Sequence, residues 1–149
     1  PAVTLAVDVQ QIYYSDINSI GNPMLPNLFA AGLGPDNGAG FGWDDMTIYK
    51  IGLQWDRTEQ WTYRFGYSYG EQPIESTEVM FNILAPGVIE QHATFGFTYT
   101  FASKSELDFS LTYAFEKDVT GATPAAFGAQ AITLTMDQWE VGIGYSWKF

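Results

Sequence analysis

Residues 134–149 read LTMDQWEVGIGYSWKF, and this stretch decides the fold. From Trp139 onward every second position carries a large apolar or aromatic side chain, and the positions between them carry mostly small or polar ones. A period of two predicts a β-strand with one aromatic face and one small-residue face. A strand of a soluble sandwich would bury its aromatic face and usually carry more Val and Ile. In an outer-membrane barrel that face meets lipid, with Trp and Tyr at the headgroup levels. The stretch therefore predicts the closing strand of an outer-membrane β-barrel, ending on Phe149.

The composition agrees with a membrane barrel. The chain has 6 basic and 17 acidic residues, a net charge of −11, which argues against nucleic acid as a partner because phosphates attract Lys and Arg. Aromatic residues make up 17% and charged residues 15%, whereas a typical soluble domain is about 25% charged. No apolar run approaches the roughly 18 residues of a transmembrane helix, so a closed barrel is the remaining way to span a bilayer. Cysteine is absent, which excludes disulfides and thiol chemistry.

Five further segments alternate in the same way, with the apolar side chains at odd positions. They predict strands at about residues 3–14, 48–55, 61–70, 92–101 and 107–116. Long connections alternate with short turns along the chain. The long ones are residues 15–45, 71–91 and 117–133, and the short ones are 56–60 and 102–105. Outer-membrane barrels have long extracellular loops and short periplasmic turns, so the first strand is predicted to run outward and the last inward.

Under this topology the aromatic residues fall at two levels, as the two girdles of a barrel require. Those predicted at the periplasmic level are Trp55, Trp61, Phe101, Trp147 and Phe149. Those predicted at the outer level are Tyr14, Tyr67, Tyr69, Phe115 and Trp139. A soluble β-sandwich would also show several short alternating strands, but its second face should be charged for water. Here the second face is mostly Gly, Ser, Thr and Ala, which is typical of a lumen.

The number of strands sets a further expectation. Single-chain barrels have about 8 strands or more, and an open sheet in lipid would leave backbone groups unsatisfied at a cost of several kcal/mol each. We therefore expect an all-β fold, an antiparallel transmembrane β-barrel of which residues 1–149 form about six C-terminal strands. The rest of the same barrel would complete it, although a contribution to an oligomeric barrel is the alternative. The chain opens on Pro1 without an initiating Met or signal peptide, so we expect a processed chain or a piece of a longer one.

Four segments resemble the C-terminal part of FadL-type outer-membrane transporters, which import long-chain fatty acids and hydrocarbons in Gram-negative bacteria. They are FGWDDMTIYKIG (41–52), RFGYSYGEQPI (64–74), NILAPGVIEQH (82–92) and the ending YSWKF (145–149). The resemblance implies a monomeric barrel of about fourteen strands with an N-terminal plug. It also implies capture by extracellular loops, binding in an apolar pocket and sideways release into the membrane. The plug, the gating strand and the first half of the barrel have no counterpart in these residues, so the pocket and the exit remain implications of the family.

The long loops contain an unusual number of apolar side chains. In the first loop their spacing predicts a short helical turn that exposes one apolar face, formed by Leu25, Leu28, Phe29 and Leu33. In the second loop the residues expected to face it are Met80, Phe81, Ile83 and Leu84. Ligand pockets are mostly apolar, and flexible Met side chains suit hydrocarbon chains, so these residues are candidates for an initial capture site. The alternative is that they only pack the loops into a cap, and both interpretations stay open.

Charged groups on the small-residue face form a second candidate site. Asp8, Lys50 and Arg64 lie on three successive predicted strands, where cross-strand ion pairs can form. A cation among them could instead bind a ligand carboxylate, since Arg offers a bidentate fork. Mutual neutralisation is the simpler interpretation. Further acidic residues share this parity and would repel an anion unless paired: Asp108, Glu116 and Glu140.

His92 is the only histidine, and it lies on the same face two residues after Glu90. A Ser-His or Asp-His mechanism needs a positioned nucleophile and a third orienting group, and no such spacing appears. A metal site needs three or four converging ligands. We therefore expect His92 to make structural hydrogen bonds, and we expect no enzyme activity and no cofactor.

The sequence thus favours passive import of hydrophobic compounds, with long-chain fatty acids as the first guess, by binding and diffusion. The partners expected are the hydrophobic ligand, outer-membrane lipid and lipopolysaccharide, and the complete barrel is expected to be a monomer. The alternative is a structural or adhesive barrel whose apolar loops contact another protein.

Overall fold

A single antiparallel sheet forms the framework of the computed structural model, which describes residues 2–147. Its six strands pair in chain order, each with the next. They are β1 (Ala2–Ile12), β2 (Met46–Asp56), β3 (Trp61–Gly70), β4 (Gln91–Thr100), β5 (Glu106–Ala122) and β6 (Ala131–Ser146). Within the described part of the chain, no helix has the length and apolar character needed to cross a membrane. Phe149, predicted to close the last strand, lies outside the described residues.

The register of the sheet keeps odd residues opposite odd ones across most of its width. Ile51 of β2 lies opposite both Val7 of β1 and Tyr67 of β3. The odd side chains form the apolar face, on which Val7 is 71% and Ile143 is 75% exposed. Because a slip of one residue would exchange the two faces, the alternation predicted from the sequence and the observed pairing support each other.

Aromatic rings form a continuous belt at the end of the sheet that carries the short turns, here called the turn end. The ring of Trp61 lies 4.7 Å from that of Tyr99, and Tyr99 lies 4.8 Å from Phe101. Tyr145 continues the belt, with its ring 6.2 Å from Phe101 and 6.0 Å from Trp147. Trp55 joins at the other side through Tyr63. Four of the residues predicted for this level therefore lie in one belt, and the fifth, Phe149, lies outside the described residues.

The opposite end, here called the loop end, carries the second group of rings. Tyr113 lies 4.2 Å from Trp139 and 4.8 Å from Phe115, measured between ring centroids. The prediction for Tyr14 is wrong. β1 ends at Ile12, and Tyr14 starts a short 3-10 turn, Tyr14–Asp16, in which its ring packs edge-on against Trp43 at 5.0 Å. Tyr14 therefore packs within the loops rather than facing lipid.

The third long loop is much shorter than predicted, because β5 and β6 extend beyond the other strands. Residues 117–122 and 131–133, predicted as loop, are paired strand, and the connection is only residues 123–130. The pairing shifts between Ala114 and Lys117, where β5 contains one extra residue. Such a bulge reverses which parity faces inward. After it Val119 lies opposite Leu134, and both are buried on the inner side.

The two other long loops, residues 13–45 and 71–90, fold over the loop end and are here called the cap. The first contains two short helices, α1 (Asn18–Gly21) and α2 (Asn27–Ala31). The principal buried cluster of the described chain joins the second loop to the β5–β6 extension. Its members are Ile74, Val79, Val88, Val119 and Leu134, with Trp43, Ile132 and Met136 packed against them. The core therefore lies between the cap and the hairpin, while the sheet itself has exposed apolar side chains.

Gly121 allows the cap to close against the hairpin. A Cβ at this position would lie 1.8 Å from the carbonyl oxygen of Ser76 and 2.9 Å from Val79. We predict that Gly121→Ala pushes the second loop away and destabilises the cap by about 1–3 kcal/mol, the usual cost of overpacking. Limited proteolysis within residues 71–90 should become faster. Gly144→Ala is the matched control, because its Cβ would meet nothing closer than 3.7 Å. Equal protease resistance of the two variants would contradict this account.

Candidate ligand-capture site

Asn82 holds the centre of the cap together. Its side chain is fully buried, and its Oδ1 accepts a hydrogen bond from Nε1 of Trp43. Its Nδ2 donates to the carbonyl oxygens of Phe41 at 2.7 Å and Glu78 at 2.9 Å. Oε2 of Glu78 in turn accepts from the backbone N–H of Met24 at 2.9 Å. These bonds join the first loop to the second, and they leave the buried amide satisfied, as burial of a polar group requires.

The apolar residues predicted in the first loop divide into two groups. α2 includes Leu28 and Phe29, so the predicted helical turn is present. Leu25 and Leu28 are half-buried, whereas Phe29 is 68% and Leu33 is 66% exposed. The ring of Phe29 stacks on that of Phe127, in the third loop, with centroids 6.0 Å apart and planes 20° apart. Phe127 was not among the predicted site residues, because only the fold brings residues 29 and 127 together.

The second loop divides in the same way. Met80 and Phe81 are half-buried, and the ring of Phe81 stacks on that of Phe41 at 5.0 Å. Ile83 and Leu84 are 55% and 73% exposed. The half-buried members thus help pack the cap, and the exposed ones form apolar surface in water. The packing interpretation therefore applies to the half-buried residues. Capture of a ligand by the exposed set remains a prediction.

A cavity of about 360 Å³ lies beneath the cap, at the loop end of the small-residue face. One part of its lining is apolar, from Met46, Ile48 and Ile89, and polar side chains including Ser68 and His92 form the rest. A larger cavity of about 770 Å³ follows along the same face of the sheet. Its lining from the even positions includes Thr4, Gly52, Arg64, Gly96, Asp108 and Gly142. The small-residue face predicted to line a lumen therefore carries two adjoining hollows that are open on one side.

The predicted lumen charges are partly paired. Lys50 lies opposite Asp8, and Nζ of Lys50 is 3.6 Å from Oδ2 of Asp8. Nζ of Lys50 also donates to Oε1 of Gln10 at 2.6 Å. Asp8 and Lys50 therefore form the ion pair expected from their positions.

Arg64 makes its contacts with neutral groups instead. Its Nε donates to Oε1 of Gln54 at 3.0 Å, and its Nη1 donates to Oγ1 of Thr98 at 2.7 Å. The Thr98 hydroxyl then donates to Oδ1 of Asp108 at 2.6 Å. Asp108 therefore faces the larger cavity as predicted, and a threonine hydroxyl links it to the guanidinium of Arg64. Glu116, predicted to share this face, lies at the bulge, where the alternation breaks, and it is exposed.

Sequence reasoning missed one ion pair. Nζ of Lys117 lies 2.9 Å from Oε2 of Glu90, at the boundary between the cap and the hairpin. Lys117 was predicted to lie in a loop because the predicted strand ends at residue 116, whereas the bulge places Lys117 on the inner side of β5. Glu90 is therefore paired with a lysine rather than with His92. Nδ1 of His92 lies 3.4 Å from Oγ of Ser68, in the structural role predicted for it. Among residues 2–147, no three His, Cys, Asp or Glu side chains converge as metal ligands would.

The sheet, its apolar outer face and its cap can be compared with known proteins. A family model described as "Outer membrane protein transport protein (OMPP1/FadL/TodX)" matches residues 2–149. The chain belongs to this family. Among solved structures, the Pseudomonas putida toluene transporter TodX matches with a TM-score of 0.62 at 18% identity, over 99% of this chain and 31% of that one. This likeness shows the fold, and the chain spans about a third of that transporter. Among curated proteins, none matches the sequence.

Membership of the FadL/TodX family confirms the resemblance and sets the environment of the sheet. Proteins of this family are outer-membrane β-barrels, so the odd-numbered face meets lipid and the small-residue face meets the lumen. In other barrels of this membrane the long loops are extracellular and the short turns periplasmic, so we predict that the loop end is extracellular. The cap is then the part of this chain that a compound arriving from outside would encounter.

The cap also contains a carboxyl group whose pKa is raised by its surroundings. Burial raises the pKa of the Asp44 carboxyl, and the negative charges of Glu75 and Asp45 raise it further. Asp44 and Glu75 directly follow Trp43 and Ile74, which form a short antiparallel bridge between the two loops. Asp44, Asp45 and Glu75, here called the rim of the cap, therefore form a region of negative potential.

We predict that Asn82→Ala loosens the cap without unfolding the sheet. The substitution leaves the Trp43 indole N–H without its acceptor and removes two further hydrogen bonds, for a cost of about 2–3 kcal/mol. Proteolysis of residues 71–90 and a red shift of tryptophan emission report the change. Asn37→Ala is the control, because Asn37 is an exposed residue of the same cap. If the two variants behave alike, Asn82 does not hold the loops together.

Proposed function

We propose that this chain contributes to the passive uptake of hydrophobic compounds across the outer membrane, with the cap as the first capture surface. Uptake proceeds by binding and diffusion, without a covalent step. The ligands belong to the range that the family resemblance implies, long-chain fatty acids and hydrocarbons, and the relative TodX is a toluene transporter. Family membership supports this role for the whole protein, and the residues of the cap support it for this chain.

The observation that supports the proposal most strongly is the exposed stack of Phe29 on Phe127. Two phenyl rings that touch each other on an extracellular surface still leave much of their area in water, since Phe29 is 68% and Phe127 is 38% exposed. Removing an apolar side chain of this size from water is worth about 1.5–3 kcal/mol. An apolar ligand that covers the stack recovers part of that free energy, so the patch favours hydrophobic compounds.

The two cavities supply a path that continues from the cap. Ile89 belongs to the second loop and also lines the 360 Å³ cavity, so this cavity lies directly under the cap. Met46 and Ile48 add apolar surface there, and Thr94 borders both cavities. Volumes of a few hundred Å³ with a mixed apolar and polar lining suit small organic ligands. We infer that a captured compound moves from the cap into the first cavity and then along the small-residue face.

We also infer that further strands complete the barrel. β1 and β6 each pair on one side only, so their outer edges would leave N–H and C=O groups unsatisfied in lipid. Strands from the remainder of the same chain would satisfy both edges and give a monomeric barrel, in which residues 1–149 are the C-terminal part. The mass of the intact protein in mild detergent tests this proposal: oligomers of a subunit near 16.6 kDa would contradict it.

The double substitution Phe29→Ser and Phe127→Ser should weaken capture. Loss of about 1.5–3 kcal/mol of apolar contact corresponds to roughly 10- to 150-fold weaker binding of a hydrocarbon. The measurement is uptake of a radiolabelled alkane by cells that depend on the intact protein. Ile17→Ser is the matched control, because it removes an apolar side chain, 50% exposed, from the same cap.

Two outcomes of this experiment would change the account. Unchanged uptake in the double variant would mean that capture occurs elsewhere. Normal uptake combined with loss of a protein partner would favour the alternative of an adhesive barrel, in which the apolar patch contacts another protein.

A further inference from the structure

The extracellular side of this chain has a one-sided charge distribution. The three connections at the loop end, residues 13–45, 71–90 and 123–130, contain no Lys, Arg or His. They contain eight acidic residues: Asp16, Asp36, Asp44, Asp45, Glu71, Glu75, Glu78 and Glu90. The two short turns at the other end are mixed, since Arg57 accompanies Glu59 and Lys104 lies in the second turn. The acidic excess is therefore concentrated where ligands arrive.

The basic residues closest to the cap have acidic partners. Lys117 lies 2.9 Å from Glu90, and Lys50, in the lining of the sub-cap cavity, lies 3.6 Å from Asp8. Arg64 lies further along the face, in the larger cavity, and donates to Gln54 and Thr98. A carboxylate that reached the cap would find the nearby cations neutralised and the remaining acidic groups uncompensated.

The rim shows how these uncompensated negative charges act on an anion. Asp44 and Asp45 lie beside Glu75 across the bridge formed by Trp43 and Ile74. The pKa of Asp44 is raised, first by burial and then by its acidic neighbours, so the site already disfavours its own negative charge. The same neighbours oppose any further anion placed against them, because like charges within a few ångströms repel.

We propose that the cap selects ligands by charge: it admits uncharged hydrophobic compounds and repels carboxylates. This inference rests on the proposed function and narrows its ligands from fatty acids and hydrocarbons to neutral hydrocarbons and their alcohols. The apolar stack of Phe29 and Phe127 supplies attraction that does not depend on charge, and the acidic residues supply repulsion that does. Specificity therefore comes from an unfavourable interaction with the wrong ligand as well as a favourable one with the right ligand.

The test compares two ligands of equal chain length, 1-octanol and octanoate, at pH 7. Their binding is measured to the intact protein that contains this chain, held in lipid nanodiscs, with empty nanodiscs as the correction for lipid partition. In about 10 mM salt, where charges act over roughly 30 Å, octanoate should bind about tenfold more weakly. In about 1 M salt, where the range is roughly 3 Å, the gap should largely close.

Substitutions test whether the rim causes the weaker binding of octanoate. Asp44→Asn together with Glu75→Gln keeps the side-chain sizes and should strengthen octanoate binding several-fold in low salt, with little change for octanol. Glu59→Gln, in a periplasmic turn, removes one acidic charge far from the cap and should change neither ligand.

The outcomes separate this inference from the proposed function. Equal binding of the two ligands in low salt, or a gap that salt and the double substitution leave unchanged, overturns charge selection while hydrophobic capture stands. Absence of protein-dependent binding for both ligands overturns the proposed function and the inference together.

Discussion

Lipid offers no hydrogen-bond partner to a peptide group, and the rest of this structure follows from that constraint. Five antiparallel ladders pair the backbone of β1 to β6, in a register that places Ile51 opposite Val7 and Tyr67. Once the register is fixed, the alternation of the sequence determines which face of the sheet is apolar. A slip of one residue would turn Lys50 toward lipid and Ile51 toward the lumen, so alternation and pairing must agree at every strand.

Beyond the outer aromatic residues the strands leave the lipid. There the outward side chains of the β5–β6 hairpin become polar and its inward side chains become apolar. In β6 the outward positions change from Trp139 to Asp137 and Thr135, while Met136 and Leu134 turn inward to pack beneath the cap. In β5 the bulge between Ala114 and Lys117 produces the same reversal. One hairpin is therefore both a wall of the barrel and the support for the cap.

Prediction from sequence succeeded where a single periodicity applies. β3 has the predicted bounds because its alternation is unbroken, whereas β5 continues past its predicted end at residue 116 to Ala122, and β6 begins at Ala131, before its predicted start at residue 134. The sequence contains a signal for the extension of β6, since Ile132, Leu134 and Met136 alternate in the opposite phase to Trp139 and its successors. No equivalent signal was available for the centre of the cap. The bond between Trp43 and Asn82 joins residues 39 positions apart, and local patterns do not specify contacts of that range.

The account depends most on which face of the strands meets lipid, and spin-label accessibility along β5 measures this directly. Cysteines introduced one at a time at positions 107–121 carry the nitroxide label in the intact protein in lipid, after any cysteine outside residues 1–149 has been replaced. We predict that oxygen accessibility peaks at odd positions through 113, and that a polar nickel reagent reaches the outward positions 118 and 120 after the phase change. Equal access of the nickel reagent to Phe109 and Ser110, or alternation that continues without a change of phase through 117, would contradict the account.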